Sequence, residues 1–241
     1  MAEGHARNGK NRLLSTLGET VYEKFAPNLE RVSLSLRQKL IEPNKPIEHV
    51  YFPINGVVSM LAHIEGGYLI EVATVGNERM IGLPLFLGTE MTPGTSFSQV
   101  PGEALRMSAN DFREAIETSG PFTKMLHRYT QALMVQISQG NACNRIHSLE
   151  ERCARWLLLC HDRVGEDEFL LTQEFLSQML GVRRASVTLV ASTFQQAGFI
   201  EYSRGRIRIL DRKGLESACC ECYTVIRQEY DRMLEPNNER T

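Results

Sequence analysis

The feature that most constrains this chain is a change in the spacing of its apolar residues near Ser108. Before it, Val32, Leu34 and Leu36 alternate with polar residues, which is the two-residue repeat of a half-buried strand. After it, apolar residues recur every three or four positions, which is the repeat of an amphipathic helix. The sequence therefore predicts an α+β fold, with one or two short helices over residues 11–30, then strands, then helices.

Turn-forming residues divide the first half into short strands. Apolar runs recur at roughly ten-residue spacing, a pattern typical of all-β domains; they are 50–52, 57–64, 68–75 and 104–107. Asn55-Gly56 and Gly66-Gly67 lie between these runs, and both dipeptides readily supply the positive φ angles of tight hairpin turns. The pattern predicts an antiparallel, jelly-roll-like sandwich or barrel.

The second half is predicted to contain one long helix. A short helix over 109–118 is interrupted by Ser119-Gly120-Pro121, and a new helix is predicted over 121–149. Its length of about 42 Å and its narrow apolar stripe are typical of helices that pack against one another. We therefore predict a dimerisation helix, the alternative being a helix packed only on its own sandwich. The predicted dimer contacts are Phe122, Leu126, Tyr129, Leu133 and Ile137.

Residues 170–210 are the most informative stretch. Thr172 can cap a helix that Gly181 ends, and a second helix begins near Arg183. The outer face of this second helix has small side chains, as a helix that enters a DNA groove requires. Its inward face is apolar and comprises Val187, Val190, Ala191 and Phe194. Two short strands around residues 203–206 follow, so the order of elements predicts a winged helix-turn-helix.

The charge of the whole chain hides a local concentration of basic residues. The 27 basic and 29 acidic residues give a net charge of −2, which by itself speaks against a nucleic-acid partner. Residues 183–213, however, carry seven basic and two acidic side chains, a local charge of +5, so the rest carries −7. This segregation predicts a basic DNA-binding module on an acidic carrier.

Two segments resemble transcription regulators of the Crp/Fnr family. LTQEFLSQMLGVRRASV…QQAGFIEYSRGRIRI is similar to the family's DNA-binding segment, and INGVVSML resembles the strand pair that opens its roll. The resemblance covers nearly the whole chain. It implies a cyclic-nucleotide-binding-like β-roll over 1–120, a dimerisation helix over 121–149 and a winged helix-turn-helix domain over 150–241. It also implies a homodimer on a pseudo-palindromic operator in double-stranded DNA, with RNA polymerase as a further partner of an activator.

The resemblance assigns roles within the second helix. Arg184 takes the place of an arginine that reads guanine, and Arg183 and Ser186 resemble phosphate or base-edge contacts. The family's glutamate and a later arginine are replaced here by Ala185 and Leu189, whose apolar side chains could contact thymine methyl groups. The predicted DNA-binding residues are Arg183, Arg184, Ala185, Ser186, Thr188 and Leu189 of the helix and Arg204 and Arg206 of the wing.

The residues that bind cyclic nucleotides in the family are missing. The family uses a glutamate for the ribose and an arginine for the phosphate, but Leu83 stands at the glutamate position and residues 89–99 contain no basic side chain. A cyclic phosphate would be buried without a counter-charge, which is costly. We therefore expect no response to cAMP and predict no cofactor, while an unidentified small-molecule effector stays open.

The cysteines offer a weak indication of a metal site. None lies in the first 142 residues, so no N-terminal iron–sulfur cluster of the Fnr type is expected. Cys219, Cys220 and Cys222 form the only cluster in the sequence, and no histidine lies near them to complete four ligands. We expect these cysteines to pack in the core or at the surface, with a redox or metal role as the alternative, and predict no metal site. His63 is expected to be a solvated strand-end residue rather than a haem ligand.

Other function classes find little support in the sequence. No nucleophile elbow, phosphate loop or dinucleotide-binding glycine motif occurs, so we predict no enzymatic activity. Residues 1–10 are polar, unlike a secretory signal, and no apolar run is long enough to cross a membrane, which predicts a cytoplasmic protein. The alternative function is a ligand- or redox-sensing module with weakened or lost DNA binding.

Overall fold

A computed structural model describes residues 11–235, so the polar segment 1–10 lies outside the described residues. Over these residues the fold is α+β: seven strands precede the long helices, as the change in apolar spacing predicts, and three short strands follow within the second half. The strands are β1 (Glu30–Leu34), β2 (Lys39–Ile41), β3 (His49–Pro53), β4 (Val57–Ile64), β5 (Tyr68–Val75), β6 (Thr95–Val100), β7 (Gly102–Ser108), β8 (Glu168–Leu170), β9 (Ile200–Ser203) and β10 (Arg206–Ile209). The helices are α1 (Glu19–Phe25), α2 (Leu83–Phe86), α3 (Ala109–Thr118), α4 (Gly120–Ile146), α5 (Leu149–Val164), α6 (Gln173–Leu180), α7 (Arg184–Gln196), α8 (Arg212–Ser217) and α9 (Cys222–Leu234). None of the helices in this range is long and apolar enough to span a lipid bilayer.

The first seven strands form two antiparallel sheets, with strand orders β1-β7-β3 and β2-β6-β4-β5. β4 and β5 form the predicted hairpin across Gly66-Gly67, where both glycines have positive φ. The hairpin expected at Asn55-Gly56 is wrong, because β3 pairs with β7 and β4 pairs in the other sheet. Gly56 instead lets the chain pass between the sheets: its φ is +76°, and a Cβ there would lie 2.6 Å from the Val100 carbonyl oxygen.

The apolar stripe of α4 faces the interior of its own chain. Phe122 packs against Phe25 with ring centroids 4.9 Å apart, and the Tyr129 hydroxyl donates a hydrogen bond of 2.7 Å to the Met80 carbonyl oxygen. Four of the five predicted dimer contacts are buried within the single chain, and Leu133 is the most exposed of them at 4%. The prediction that these four line a dimer interface is therefore wrong, and the alternative of packing on the chain's own sandwich holds for this face. Those four are Phe122, Leu126, Tyr129 and Leu133.

The long helix ends where a second helix begins. α4 stops at Ile146, and Ser148 starts α5 through a capping box with Glu151, in which the Ser148 hydroxyl accepts from the Glu151 amide. After α5, strands β8, β10 and β9 form a small antiparallel sheet beside α6 and α7. This is the predicted winged helix-turn-helix, and α6 packs against β5 of the first half.

α9, the last helix within residues 11–235, packs mainly against α4 and also contacts α5. The Arg128 guanidinium of α4 donates to the carbonyl oxygens of Arg232 and Glu235 at 2.8 and 2.9 Å. The chain therefore turns back after α8, and α9 runs beside the long helix.

A buried polar network connects both halves. Arg163 of α5 donates to the Glu78 carboxylate at 2.9 Å, and the Arg79 Nε lies 2.8 Å from the same carboxylate. The Arg79 guanidinium lies 3.6 Å above the ring of Tyr230 in α9, and the Tyr230 hydroxyl donates to Gln136 of α4 at 3.1 Å. The turn after β5 is thus bound to α4, α5 and α9 at one place.

Candidate nucleic-acid interface

The two helices of the helix-turn-helix begin and end as the sequence predicts. The Thr172 hydroxyl accepts a hydrogen bond from the Phe175 amide at 3.1 Å, which caps α6. Gly181 ends α6 with φ +65° and ψ +39°, the left-handed conformation that reverses the chain direction before α7. On α7 the predicted inward face is buried, so its register relative to the core is fixed; the buried residues are Val187, Val190, Ala191 and Phe194.

The structure places the predicted α7 residues on one outward surface. Arg183, at the N-cap, has an extended backbone, and the side chains of Arg184 and Ala185 that follow it are exposed. Leu189 is 71% exposed, so it contributes nothing to the core. Thr188 is tied to its own domain, because its hydroxyl donates to the Gln173 side-chain carbonyl at 2.7 Å. Arg183, Arg184, Ala185, Thr188 and Leu189 are exposed, and Ser186 is half-buried.

The wing is a tight hairpin with an arginine at its tip. Arg204 and Gly205 have φ of +50° and +76°, the two positive angles of a type I′ turn between β9 and β10. This turn holds Arg204 exposed at the end of the hairpin. Arg206 also points outward, but its Nη1 lies 3.2 Å from Glu168 in the neighbouring β8.

Ion pairs reduce the charge that the basic segment offers to DNA. Glu168 also binds Arg208 at 2.6 Å, and hydrogen bonding from Arg208 lowers the pKa of this carboxyl. Arg212 binds Asp162 at 2.7 Å and Glu216 at 3.0 Å, inside the domain rather than toward a ligand. Within residues 11–235, the basic side chains of this segment that have no acidic partner are Arg183, Arg184, Arg204 and Lys213.

A cavity of about 610 Å³ lies between the first half's strands and α4. Leu83 and Tyr129 are among its lining residues, and so is His63, whose Nε2 lies 2.8 Å from the Thr95 hydroxyl. His63 is an exposed residue near the end of β4, and this hydrogen bond fixes it at the cavity wall. Over the part of the chain that the structure describes, no arginine, lysine, aspartate or glutamate lines the cavity.

The cysteines near the C-terminus lie beside a residue that the sequence reasoning missed. Cys220 and Cys222 meet Cys143 and His147, which come from the end of α4. The prediction that no histidine completes a four-ligand set is wrong, because folding brings in a histidine that lies far away in sequence. No local sequence pattern indicates this four-residue cluster, because Cys143 and His147 meet Cys220 and Cys222 only when α9 returns to α4.

Comparison with protein-family models gives two matches. Residues 31–119 match the cyclic nucleotide-binding domain, and residues 151–218 match the Crp-like helix-turn-helix domain. The long helix α4 lies between the two matched regions. A comparison with curated proteins gave no match.

Solved structures share the fold of most of the chain. One is FixK2 from Bradyrhizobium japonicum, 15% identical, with a TM-score of 0.68 over 80% of this chain and 98% of that one. A Crp-family regulator from Thermus thermophilus is 16% identical, with a TM-score of 0.66 over 78% of this chain and 95% of its own. A Crp/Fnr-family regulator from the same organism is 20% identical, with a TM-score of 0.63 over 78% and 97%. At these identities the likeness concerns the fold.

Proposed function

Because this chain belongs to the Crp/Fnr family of transcription regulators, we propose that it is a homodimer that binds a pseudo-palindromic operator in double-stranded DNA. The observation that carries the proposal is the outward surface of α7, which combines small side chains with arginines that no acidic group of residues 11–235 neutralises. Two such helices, related by a twofold axis, enter successive major grooves about 34 Å apart.

The proposed contacts follow from exposure and pairing. Arg184, at the first turn of α7, reads a base edge, since an arginine can make a bidentate contact with guanine. Arg183 and Arg204 neutralise phosphates, and Arg206 does so more weakly because Glu168 competes for it. Ala185, Ser186, Thr188 and Leu189 complete the surface, with the two apolar residues facing thymine methyl groups.

The dimer surface is proposed on the exposed face of α4. Met134 is 60% exposed and Ile137 is 38% exposed, and Ile70 and Val72 of β5 line the same groove as Ile137. Exposed residues continue this face at three- and four-residue spacing, and Met134 is the apolar one among them: Gln131, Met134, Ser138, Asn141 and Arg145. Of the five predicted contacts, Ile137 alone is exposed, and it lies one turn from Met134 on the same helix.

The cavity between the strands and α4 supports an effector other than cAMP. Within residues 11–235 its lining has no arginine, lysine, aspartate or glutamate, and Leu83 occupies the position of the family's ribose-binding glutamate. An anionic cyclic phosphate would lose its hydration there without a counter-charge. An uncharged small molecule is the ligand class that the lining favours.

We propose that the protein acts through DNA and not as an enzyme, in the cytoplasm, with RNA polymerase as a partner if it activates transcription. The alternative is a ligand- or redox-sensing module whose DNA binding is weakened or lost.

In-vitro selection of bound DNA with the purified full-length protein tests the proposal. We expect selection of an inverted repeat with half-site centres one helical turn apart, and gel shifts in which affinity for that site falls steeply as salt rises. Selection of no preferred sequence, with equal and weak binding to all duplexes, would instead support the sensing module.

A further inference from the structure

Four potential metal ligands converge where α9 meets the end of α4. The Cys143 and Cys220 sulfurs lie 3.5 Å apart, and the Cys222 sulfur lies 3.5 Å from Nδ1 of His147. All four ligand atoms lie within 4.8 Å of one another. The three cysteines are buried, and the His147 side chain is only 15% exposed.

Ordinary core packing does not explain this cluster. Cys153 and Cys160 are packing cysteines, since they are buried within the large hydrophobic core among aliphatic side chains. Cys143, Cys220 and Cys222 instead form a separate buried cluster made of cysteines, with Cys219 packed against it. Thiols gathered apart from the aliphatic core, beside an imidazole, indicate a site for a cation that prefers sulfur and nitrogen.

The distances fit one small tetrahedral ion. Zinc binds thiolate sulfur at about 2.3 Å and imidazole nitrogen at about 2.0 Å, so two ligands on a tetrahedron lie roughly 3.5–3.8 Å apart. The Cys143–Cys220 and Cys222–His147 pairs already have this spacing. We propose a structural zinc site with three thiolates and one imidazole as ligands: Cys143, His147, Cys220 and Cys222. Each thiol transfers its proton to solvent as its Zn–S bond forms, and no electron is transferred.

Neighbouring side chains support this assignment from outside the ligand set. Nε2 of His147 lies 3.3 Å from the Glu221 carboxylate, so it can donate its proton there while Nδ1 faces the sulfurs. A carboxylate that holds the far nitrogen of a ligating histidine is a common feature of zinc sites. The Gln139 amide nitrogen also lies 3.2 Å from the Cys222 sulfur, where it can donate to a bound thiolate.

The position of the site indicates a structural role for the ion. Cys143 and His147 lie at the end of α4, immediately before the break that starts α5. Cys220 lies just before α9, and Cys222 is the first residue of α9. The ion would therefore clamp α9 to the junction between α4 and α5. The four ligands leave no open position for a substrate, as in structural rather than catalytic zinc sites.

Metal analysis of the full-length protein, purified under reducing and anaerobic conditions, tests the proposal. We expect one zinc per chain in the wild type, and loss of zinc in Cys220→Ser and Cys222→Ser. The matched control is Cys219→Ser, an adjacent thiol outside the ligand set, which should keep one zinc per chain. Replacing zinc with cobalt should produce thiolate-to-cobalt charge-transfer absorption in the wild type and in Cys219→Ser.

A second variant keeps the test valid if the cysteine variants do not fold. Glu221 is 70% exposed, so Glu221→Gln leaves the core intact and should weaken zinc affinity 10–100-fold in competition with a chelator. Wild-type protein that stays metal-free when zinc is supplied overturns the proposal. So does bound iron with sulfide, a Cys143–Cys220 disulfide that persists under reductant, or loss of zinc in Cys219→Ser.

Discussion

At the residue scale, an arginine can contribute its charge to DNA binding only where no carboxylate of its own chain already pairs with it. Arg208 and Arg212 are basic residues of the segment after α7, yet both form ion pairs with carboxylates of the same domain. Arg184 and Arg204 have no such partner within residues 11–235. Counting charges along the sequence overstates the basic surface, because the pairing acids Asp162 and Glu168 lie before the segment.

Replacing Arg184 tests base reading. Arg184→Ala should lose about 1–3 kcal/mol of discrimination at one base pair per half-site, since a bidentate contact is removed. Competition binding against operators altered at that pair measures the loss. The matched control is Arg183→Ala, a substitution of the neighbouring residue, which should weaken binding to all sequences alike. A uniform loss in Arg184→Ala would make Arg184 a phosphate contact.

The wing arginines should differ in their effect on salt dependence. Arg204→Ala should reduce the slope of log affinity against log salt by about one per half-site, because it removes one phosphate contact. Arg206→Ala should reduce the slope less, since Glu168 already binds this side chain. Glu168→Gln, which frees Arg206 and leaves Arg208 paired with Glu201 alone, should increase affinity. Equal slopes for the two arginine variants would show that the ion pair opens on DNA.

At the element scale, the sequence predicts those strands and helices whose pattern is local. β4, β5 and α3 have the predicted bounds, because their apolar spacing is visible within ten residues. β6 was missed, because its buried residues include Ser98 and Gln99. Such polar side chains are tolerated inside only when folding provides partners; the Ser59 hydroxyl of β4, for example, lies 2.6 Å from the Gln99 side-chain oxygen.

A periodic stripe shows which face of a helix is apolar, but it does not show whether that face packs on the same chain or on a second chain. The spacing on α4 is correct, yet the covering surface is the chain's own core rather than a second chain. The distinction depends on the positions of Phe25, Phe112 and Met80, which the sequence of α4 does not contain.

Variants on the two faces of α4 separate dimerisation from folding. Met134→Glu places a charge on the exposed face, so we expect a folded monomer by sedimentation velocity and an unchanged far-UV circular dichroism spectrum. Leu126→Ala on the buried face should instead lower the free energy of unfolding by roughly 2–5 kcal/mol through loss of packing. A Met134→Glu protein that stays dimeric would place the interface elsewhere.

At the scale of the whole molecule, residues far apart in sequence form the sites that sequence reasoning did not find. The helix-turn-helix was predictable, because its cap, turn and inward face lie within one continuous segment. The cysteine–histidine cluster was not, since Cys143 and Cys222 come together only through the return of α9 to α4. The network around Glu78 is of the same kind.

Glu78 should make the stability of the whole molecule depend on acid. Burial alone would raise the pKa of Glu78, but Arg79 and Arg163 lower it to about 2. A carboxyl whose pKa is lower in the folded state stabilises the protein above its unfolded pKa and loses this effect as pH falls toward the folded value. Glu78 therefore contributes roughly 3 kcal/mol that is present near neutral pH and is lost between about pH 5 and pH 2.

Urea unfolding of Glu78→Gln across that acidic range tests this contribution. The variant should be less stable than the wild type near neutral pH, and the difference should shrink as pH falls. Glu71→Gln is the matched control, because burial raises the pKa of Glu71 despite hydrogen bonds from Ser59 and Trp156. The protonated Glu71 carboxyl favours the folded state at low pH, and this effect is lost as pH rises. The free energy of unfolding of the wild type should therefore increase relative to that of Glu71→Gln as pH falls. If the two variants instead change in parallel with pH, the ion pairs of Glu78 are not the source of the acid sensitivity.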